Sequence, residues 1–277
     1  MRERFLIDSR RHKTLASWRA VALAAALATC LAACAPLQVS QAPTANVDTG
    51  AVATTSVVVH ADGSLPVPSN LVPLTQPAGQ QRLLSTADNQ SYWSLSEYFE
   101  TQKNEAYCSV ATSVMVLNAL NIPRPKTALY PGFPYFTQDD FFHSVDPQLA
   151  DPLRVSHEGM TLDQLGAVLG HFAVSVHPFH ASDLTLEQFR DLVRDTTGRR
   201  DRFALLNFHR TQIGEAGGGH WSPLAAFDPA SDSALLLDVA RYKYPAVWVP
   251  VTQLYQAALA VDSVSGLARG IVVVSRP

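Results

Sequence analysis

The first side chain with clear chemical potential is Cys108, in the segment NEAYCSVATSVMVLNAL, residues 104–120. From Cys108 onward, apolar residues cover nearly the whole circumference of a helix, which predicts a buried helix over 108–120. A thiol in the first turn of such a helix meets unpaired backbone N–H groups and the positive end of the helix dipole. Both favour the nucleophilic thiolate. A lone free cysteine is also often a small buried apolar residue, so position alone leaves both roles open.

A thiol nucleophile needs a base, and the base needs an acceptor that orients it. The best pair is His220 and Asp238 in GEAGGGHWSPLAAFDPASDSALLLDVARYKYP, residues 214–245. Two strands joined by the turn DPASD would place this pair across a hairpin centred on Pro229, with Cβ atoms about 5 Å apart. A tight turn would offset the pair by three residues, so the arrangement requires a longer loop or a bulge. Asp238 in an apolar strand needs a partner, and an imidazole is a natural one.

Two other motifs are weaker candidates for chemistry. His177 and His180 in HPFH would lie on opposite faces of a strand, which argues against a shared metal ion, and we predict no metal site. The triple glycine 217–219 lacks the Lys-Ser/Thr of a phosphate loop and suits a mobile or closely approached loop that delivers His220.

Helices and strands that could position these residues follow from hydrophobic periodicity, helix caps and turn residues. A helix-rich half precedes a strand-rich half, which predicts an α+β fold with helices packed on a mostly antiparallel sheet. Beyond 108–120, the predicted helices are 137–143 behind a Thr137 cap, 161–170 and 185–195. The predicted strands are 172–179, 203–210, 220–228, 233–241, 246–251 and 270–277.

The N-terminus is typical of a targeting segment. Residues 1–20 carry six Lys and Arg and are followed by the short apolar stretch VALAAALATCLAAC. The tetrapeptide LAAC, ending at Cys34, resembles the bacterial lipobox. It implies a lipoprotein signal peptide over 1–33, cleavage before Cys34 and acylation of its thiol. A plain signal peptide or an uncleaved anchor are the alternatives. The segment predicts a protein held at the bacterial cell envelope, facing the periplasm, with the outer membrane favoured because Ala35 follows the cysteine.

The rest of the chain divides into a tether and one domain. Residues 34–78 are rich in Pro, Ala and Thr and predict a flexible tether, and 79–277 predict the folded domain. Removal of residues 1–33 leaves 15 Lys and Arg against 22 Asp and Glu, a formal charge of −7. This charge, without any basic stripe, excludes a nucleic-acid partner.

Long segments of the domain carry a resemblance to a known family. SYWSLSEYFETQKNEAYCSVATSVMVLNALNIPRP, together with the stretch from GGGHWSPLAAFDPASD to the end of the chain, resembles the catalytic domain of the phytochelatin synthase family, a branch of the papain-like cysteine peptidase fold. The resemblance implies a papain-like α+β fold in which a buried catalytic helix packs on the sheet. It assigns the nucleophile to Cys108, the general base to His220 and the orienting acid to Asp238. It also places an oxyanion-hole donor at Gln102.

The resemblance further implies a γ-glutamylcysteinyltransferase acting on glutathione. Glycine would leave, and a γ-glutamylcysteinyl thioester would pass to water or to a second glutathione. Water is the predicted main acceptor, because no cysteine follows Cys108 and short bacterial relatives without the Cys-rich C-terminal region of plant members resemble peptidases. No cofactor is required for acylation, and heavy-metal ions such as Cd²⁺ would stimulate through substrate thiolates. Arg241 and Lys243 are candidates for binding substrate carboxylates, although a solvated strand end is an equal alternative.

Ser109 departs from the family pattern, because the family has glycine after the nucleophile. A side chain there would crowd the substrate or disturb the oxyanion hole. Two further functions stay open. One is a papain-like envelope peptidase acting on peptidoglycan peptides, and the other is a catalytically inactive papain-like lipoprotein.

Overall fold

An antiparallel sheet forms the centre of the structure, a computed structural model that describes residues 59–128 and 130–277. Seven strands of these residues pair in the order β1-β6-β5-β4-β3-β7-β2, and every neighbouring pair is antiparallel. The strands are β1 (Val72–Pro73), β2 (Ser175–His180), β3 (Arg202–His209), β4 (Gly219–Asp228), β5 (Ser233–Leu236), β6 (Val247–Pro250) and β7 (Gly270–Ser275).

Helices cover both faces of this sheet. In the described residues they are α1 (Pro77–Ser85), α2 (Gln90–Glu97), α3 (Cys108–Ala119), α4 (Pro152–Glu158), α5 (Leu162–Leu169), α6 (Leu186–Thr197) and α7 (Val251–Leu259). Short 3₁₀ turns cover Phe141–Ser144, Ala181–Asp183 and Arg210–Ile213.

The alternation of β3 shows how the sheet divides the core. Phe203 and Leu205 join the apolar cluster that contains α3 and α5, whereas Leu206 and Phe208 join the cluster that contains α6 and α7. Successive side chains of a strand point to opposite faces, so one apolar strand supplies both layers. Helix α3 is the most enclosed element, since all of its residues are buried. Its position is therefore fixed by packing on every side.

Most predicted elements agree with the structure. The buried helix over 108–120 is confirmed, and the helices over 161–170 and 185–195 correspond to α5 and α6. Both of these begin with a capping box, formed by Thr161 with Gln164 and by Thr185 with Gln188. The predicted α+β class, with helices packed on an antiparallel sheet, is confirmed.

Three predicted elements are wrong in type or length. The helix over 137–143 is absent, and only the 3₁₀ turn Phe141–Ser144 forms there, with extended backbone at Val145. Pro147 disfavours helical backbone at Asp146, so the turn cannot continue into a longer helix. The strand over 233–241 ends at Leu236. It ends early because the Asp238 carboxylate accepts the Ala240 N–H at 2.8 Å and turns the chain away from the sheet. The strand over 172–179 begins only at Ser175, whereas the strand over 246–251 is confirmed as β6, with α7 directly after it.

The packed region begins earlier than residue 79. Leu71 is buried, and Val72–Pro73 pairs with β6. The last residues of the predicted tether therefore belong to the folded part. The predicted signal peptide and Cys34 lie outside the described residues. Among the residues that the structure does describe, every helix is too short or too polar to cross a bilayer.

Candidate active site

Cys108 is the first residue of α3, as the sequence predicts. The turn before it is closed by Asn104, whose side-chain oxygen accepts the Ala106 N–H at 2.9 Å and whose carbonyl accepts the Tyr107 N–H at 3.2 Å. Cys108 is almost fully buried and yet borders a cavity. A buried helix with a fixed axis thus holds the thiol at the cavity wall.

His220 and Asp238 meet as the sequence predicts. His220 Nε2 lies 2.8 Å from Asp238 Oδ1, and both side chains are buried. This bond occupies Nε2 and leaves Nδ1 as the ring nitrogen that can exchange a proton with a thiol. His220 and Cys108 line the same cavity, and the backbone N–H of Trp221, the residue after His220, acts on the Cys108 sulfur.

A β-bulge brings His220 and Asp238 to the same side of the sheet. Near the turn, β4 and β5 pair as Asp228 with Ser233, and the register shifts between Leu224 and Ala226. Without the shift, Asp238 would lie opposite Pro223 and would face away from His220. With the shift it lies opposite Ser222, two residues from His220 and on the same face. The predicted bulge is therefore present, although the two residues meet diagonally and not directly across the hairpin.

The buried surroundings of Cys108 and His220 favour the uncharged form of both side chains. Burial raises the pKa of the Cys108 thiol, and the backbone N–H groups of Trp221 and Ser109 and the Arg210 charge offset this only in part. Burial also lowers the pKa of His220 against the attraction of Asp238. The helix start favours a thiolate, but desolvation by burial opposes it and, at the imidazole, opposes the imidazolium.

Arg210 and Glu215, which the sequence analysis did not select, complete the surroundings of Asp238. Arg210 Nη2 donates to Asp238 Oδ1 at 2.9 Å, and its Nη1 lies 2.7 Å from Oδ2. Arg210 Nη1 also donates to Glu215. Burial alone would raise the pKa of Asp238, but His220 and Arg210 hold it well below its usual range. Asp238 is therefore a permanent anion beside the imidazole.

Gln102 lies beside the Asp238 turn. Its backbone N–H donates to Val239 O at 2.9 Å, which attaches the segment before α3 to the residue after Asp238. Its Nε2, the donor that an oxyanion hole needs, donates to the Tyr242 hydroxyl at 2.8 Å, while the buried Oε1 has no partner in the described structure. A half-turn of the carboxamide would let Tyr242 donate to Oε1 and would free Nε2.

Arg241 and Lys243 do not line the cavity that contains Cys108. The Arg241 guanidinium lies over the Phe99 ring, 4.7 Å from its centroid. Lys243 Nζ lies 3.3 Å from Glu105 Oε1. Their positions therefore give no support to the prediction that they bind substrate carboxylates inside the cavity.

The cavity beside Cys108 has a volume of about 310 Å³. Arg269, Asp262 and Asn207 form its buried polar wall, and Arg269 Nη1 donates to Asp262 at 2.7 Å and to Asn207 at 3.0 Å. The guanidinium lies against Gly219, where a Cβ would come within 2.6 Å of Nη1. The close approach of Arg269 to the backbone therefore explains the third residue of the triple glycine, since only glycine at 219 leaves room for the guanidinium.

Ser109 points into the protein and not into the cavity. Its side chain is fully buried, it is absent from the cavity wall, and its Oγ has no hydrogen-bond partner in the described region. It does not crowd this cavity. Within the described residues, no three His, Cys, Asp or Glu side chains converge as metal ligands.

The fold and the site together define a class of protein. A cysteine begins a buried helix that packs on an antiparallel sheet, and the sheet carries a hydrogen-bonded His–Asp pair beside the same cavity. This is the arrangement of the papain-like cysteine enzymes.

Comparisons with known proteins narrow the class to one family. The sequence model of the family described as phytochelatin synthase matches residues 63–271. The chain belongs to the phytochelatin synthase family. This confirms the resemblance seen in the sequence.

Curated relatives are plant and yeast enzymes. Glutathione gamma-glutamylcysteinyltransferase 1 of Lotus japonicus is 32% identical over 203 residues, which are 72% of this chain and 39% of the relative. The protein of that name in Triticum aestivum is 34% identical over 188 residues, 68% of this chain and 36% of the relative. Glutathione gamma-glutamylcysteinyltransferase of Schizosaccharomyces pombe is 28% identical, over 69% of this chain and 45% of the relative. This chain thus spans less than half the length of these relatives.

Proposed function

We propose that this protein cleaves the Cys–Gly amide bond of glutathione and forms a γ-glutamylcysteinyl thioester on Cys108, with water as the main acceptor. The observation that carries the proposal is the hydrogen-bonded His220–Asp238 pair beside the cavity that Cys108 borders. The names of the relatives, all glutathione gamma-glutamylcysteinyltransferases, support the choice of substrate.

The residues have distinct roles in the proposed reaction. His220 Nδ1 takes the Cys108 proton as the sulfur attacks the amide carbonyl carbon, and the Cys108 N–H and the Gln102 amide stabilise the oxyanion. The imidazolium then gives its proton to the departing glycine nitrogen, and the thioester remains. Asp238 fixes the imidazole tautomer and stabilises the imidazolium. In the second half, His220 takes a proton from water, whose oxygen attacks the thioester and releases γ-glutamylcysteine.

The charges in the cavity suit the two ends of glutathione. The γ-glutamyl end carries both an α-carboxylate and an α-ammonium group, and the Arg269–Asp262 pair offers one charge of each sign next to Gly219 and His220. At the opposite end of the tripeptide is the glycine carboxylate. Arg154, exposed on α4 at the cavity wall, has no ion-pair partner among the described side chains and is a suitable cation for it.

The enclosed volume supports water as the main acceptor. A cavity of about 310 Å³ is at the small end of the range for ligand sites, so one bound tripeptide leaves little enclosed space for another. Transfer to the α-amino group of a second glutathione would then be the slower branch. Metal ions such as Cd²⁺ would act on this branch through the thiolate of the bound substrate.

The test is incubation of the full-length protein with glutathione, with wild type beside Cys108→Ser. Mass spectrometry would follow glycine, γ-glutamylcysteine and longer γ-linked peptides, with and without Cd²⁺. We expect glycine release that depends on Cys108, with γ-glutamylcysteine as the main product. A complete absence of release would overturn glutathione as the substrate, and cleavage of muropeptides would then favour the envelope peptidase. Longer peptides as the main product would overturn the preference for water.

We also propose that the mature protein is held at the envelope by a lipid on Cys34. Support comes from the basic segment, the short apolar stretch and the LAAC tetrapeptide. Mass spectrometry of the mature N-terminus tests this directly. An acylated Cys34 at the first position is expected, and an unmodified Cys34 would contradict the proposal.

A further inference from the structure

A buried row of charges continues from the His220–Asp238 pair into the protein. Arg210 contacts both oxygens of Asp238, at 2.9 and 2.7 Å, and Glu215 accepts a hydrogen bond from the same guanidinium. At most 4% of each of these three side chains is exposed. Burial of three charges is costly unless their geometry serves a purpose, because each loses its hydration.

The loop before His220 is wrapped around the Arg210 side chain. Arg210 donates its backbone N–H to Gly218 O at 3.0 Å and accepts the Glu215 N–H at 3.1 Å. A Cβ on Gly217 would lie 2.9 Å from Arg210 Cδ, and its φ of +123° is one that side chains rarely adopt. The Tyr244 ring lies 5.3 Å from the guanidinium, and its hydroxyl accepts the Ala216 N–H at 2.7 Å. Arg210 thus has one tightly fixed position.

This geometry fixes the plane of the Asp238 carboxylate. Oδ1 accepts from His220 at 2.8 Å, from the Ala240 N–H at 2.8 Å and from Arg210. Arg210 donates a hydrogen bond to Oδ1, and its Nη1 lies against Oδ2 as a charge contact, so the guanidinium opposes rotation of the carboxylate more than one donor alone would. Asp238 then presents Oδ1 to the imidazole at all times.

We propose that Arg210 and Glu215 are positioning residues of the reaction: Arg210 holds Asp238 in the orientation that receives His220, and Glu215 holds Arg210 and balances its charge. The inference rests on the proposed function for the identity of the substrate. It makes a separate statement about the reactivity of the Cys108 thiol, which can be measured without glutathione.

The charge of Glu215, present above about pH 7, should be felt at the Cys108 thiol. The charged groups that face Glu215 are Arg210 and Asp238, and the Tyr244 hydroxyl lies close enough to feel all three. Arg210 lowers the pKa values of both His220 and Cys108, and Lys243 also lowers that of His220. Above about pH 7, where Glu215 is ionised, loss of its charge leaves Arg210 less compensated, so the raised pKa of the Cys108 thiol should fall.

The test uses Glu215→Gln in the full-length protein, with Glu187→Gln as the matched control. Glu187 is an exposed carboxylate on α6 that pairs with Arg190, so the control makes the same chemical change away from the site. Two pH profiles are measured: kcat/KM for glycine release, and the rate of Cys108 alkylation by iodoacetamide, followed on the Cys108 peptide by mass spectrometry. With Glu215→Gln, the alkylation profile should move to lower pH by at least about half a unit, a threefold change on the steep limb. The acid limb of kcat/KM lies below pH 7 and should stay in place, because Glu215 is already neutral there. With Glu187→Gln, both profiles should match wild type.

Arg210→Lys separates positioning from charge. Lysine keeps the positive charge and loses the two-pronged contact, so kcat/KM should fall by about tenfold or more. If this variant does not fold, Glu215→Gln decides alone, because its amide has nearly the same shape as the carboxylate. An unchanged alkylation profile in Glu215→Gln would overturn the inference even if glycine is released. A shifted alkylation profile without any glycine release would sustain the inference and overturn the proposed substrate.

Discussion

A methyl group on Gly219 should damage substrate recognition, whereas the same group on the neighbouring Gly218 should not. A Cβ at Gly219 would lie 2.6 Å from Arg269 Nη1, whereas a Cβ at Gly218 would have nothing within 4 Å. Ordinary contact begins at 3.4 Å, so the guanidinium must retreat by about 0.8 Å. A shift of this size directed away from Asp262 would stretch the 2.7 Å bond to about 3.5 Å, beyond hydrogen-bond range.

The size of the effect follows from the role proposed for Arg269. A hydrogen bond to a charged group contributes about 1.5–3 kcal/mol, and 1.4 kcal/mol corresponds to a factor of ten. Misplacement of Arg269 should therefore lower kcat/KM for glutathione by roughly 10- to 100-fold. Because the guanidinium would bind substrate and transition state alike, most of the change should be a higher KM.

The assay is steady-state glycine release by full-length Gly219→Ala and Gly218→Ala, with Cys108 alkylation measured in parallel. Gly218→Ala should stay within about twofold of wild type. Alkylation should be unchanged in both variants, since iodoacetamide does not need Arg269. Equal kinetics in the two variants would refute the role of Arg269. A lower kcat with slowed alkylation would show that the methyl group displaced His220 instead.

Three further predictions concern single side chains. Asp238→Asn should lower kcat for steady-state glycine release by about 10³- to 10⁴-fold, because the His220 imidazolium loses its counter-charge. A loss below tenfold would contradict this role of Asp238. Ser109→Ala should keep kcat/KM within about twofold and should not lower the midpoint of thermal unfolding, because the buried Ser109 Oγ has no hydrogen-bond partner in the described structure. A clear loss of activity or of stability would show that the hydroxyl has a role. Burial raises the pKa of Glu215 from 4.5 to about 7, a stabilisation present below pH 4.5 and lost as the pH rises to 7. Glu215→Gln should therefore flatten the decline in the free energy of unfolding over this range in denaturant titrations, and an unchanged slope would argue against it.

The proposed reacting groups could be selected from the sequence because each stands in a distinctive local pattern. Cys108 begins a run that is apolar on all sides, and His220 follows three glycines at the start of a strand. Helix α7 also had such a pattern, with apolar residues at 251, 254, 257 and 258. Helix α7 was missed because the apolar strand β6 directly precedes it, and no polar residues between them mark the start of the helix.

The meeting of His220 and Asp238 depends on a feature that local patterns do not locate. A one-residue shift in register decides whether the two side chains share a face, and the shift occurs at Ala225 in an evenly apolar stretch. The sequence indicated that a loop or bulge was needed to bring His220 and Asp238 together, but it did not indicate where the bulge lies. The protonation state was also out of reach, because burial of Cys108 and His220 is a property of the assembled core.

The charged residues around the proposed triad were missed for a different reason. In the sequence they look like ordinary surface charges, but each is buried against an opposite charge: Arg210 pairs with Glu215 and Asp238, and Arg269 pairs with Asp262. The one local signal was glycine. Gly217 and Gly219 leave room for Arg210 and Arg269, so closely spaced glycines before a candidate base can indicate bulky charges packed against the backbone.

The most direct test of the central claim is capture of the covalent intermediate. Full-length protein would be mixed with glutathione, quenched in acid within the first turnover and digested, and the Cys108 peptide would be analysed by mass spectrometry. We expect a γ-glutamylcysteinyl group on Cys108 that appears with one equivalent of glycine and is absent from Cys108→Ser. Glycine release without any acyl group on Cys108 in wild type, or with undiminished rate in Cys108→Ser, would contradict it.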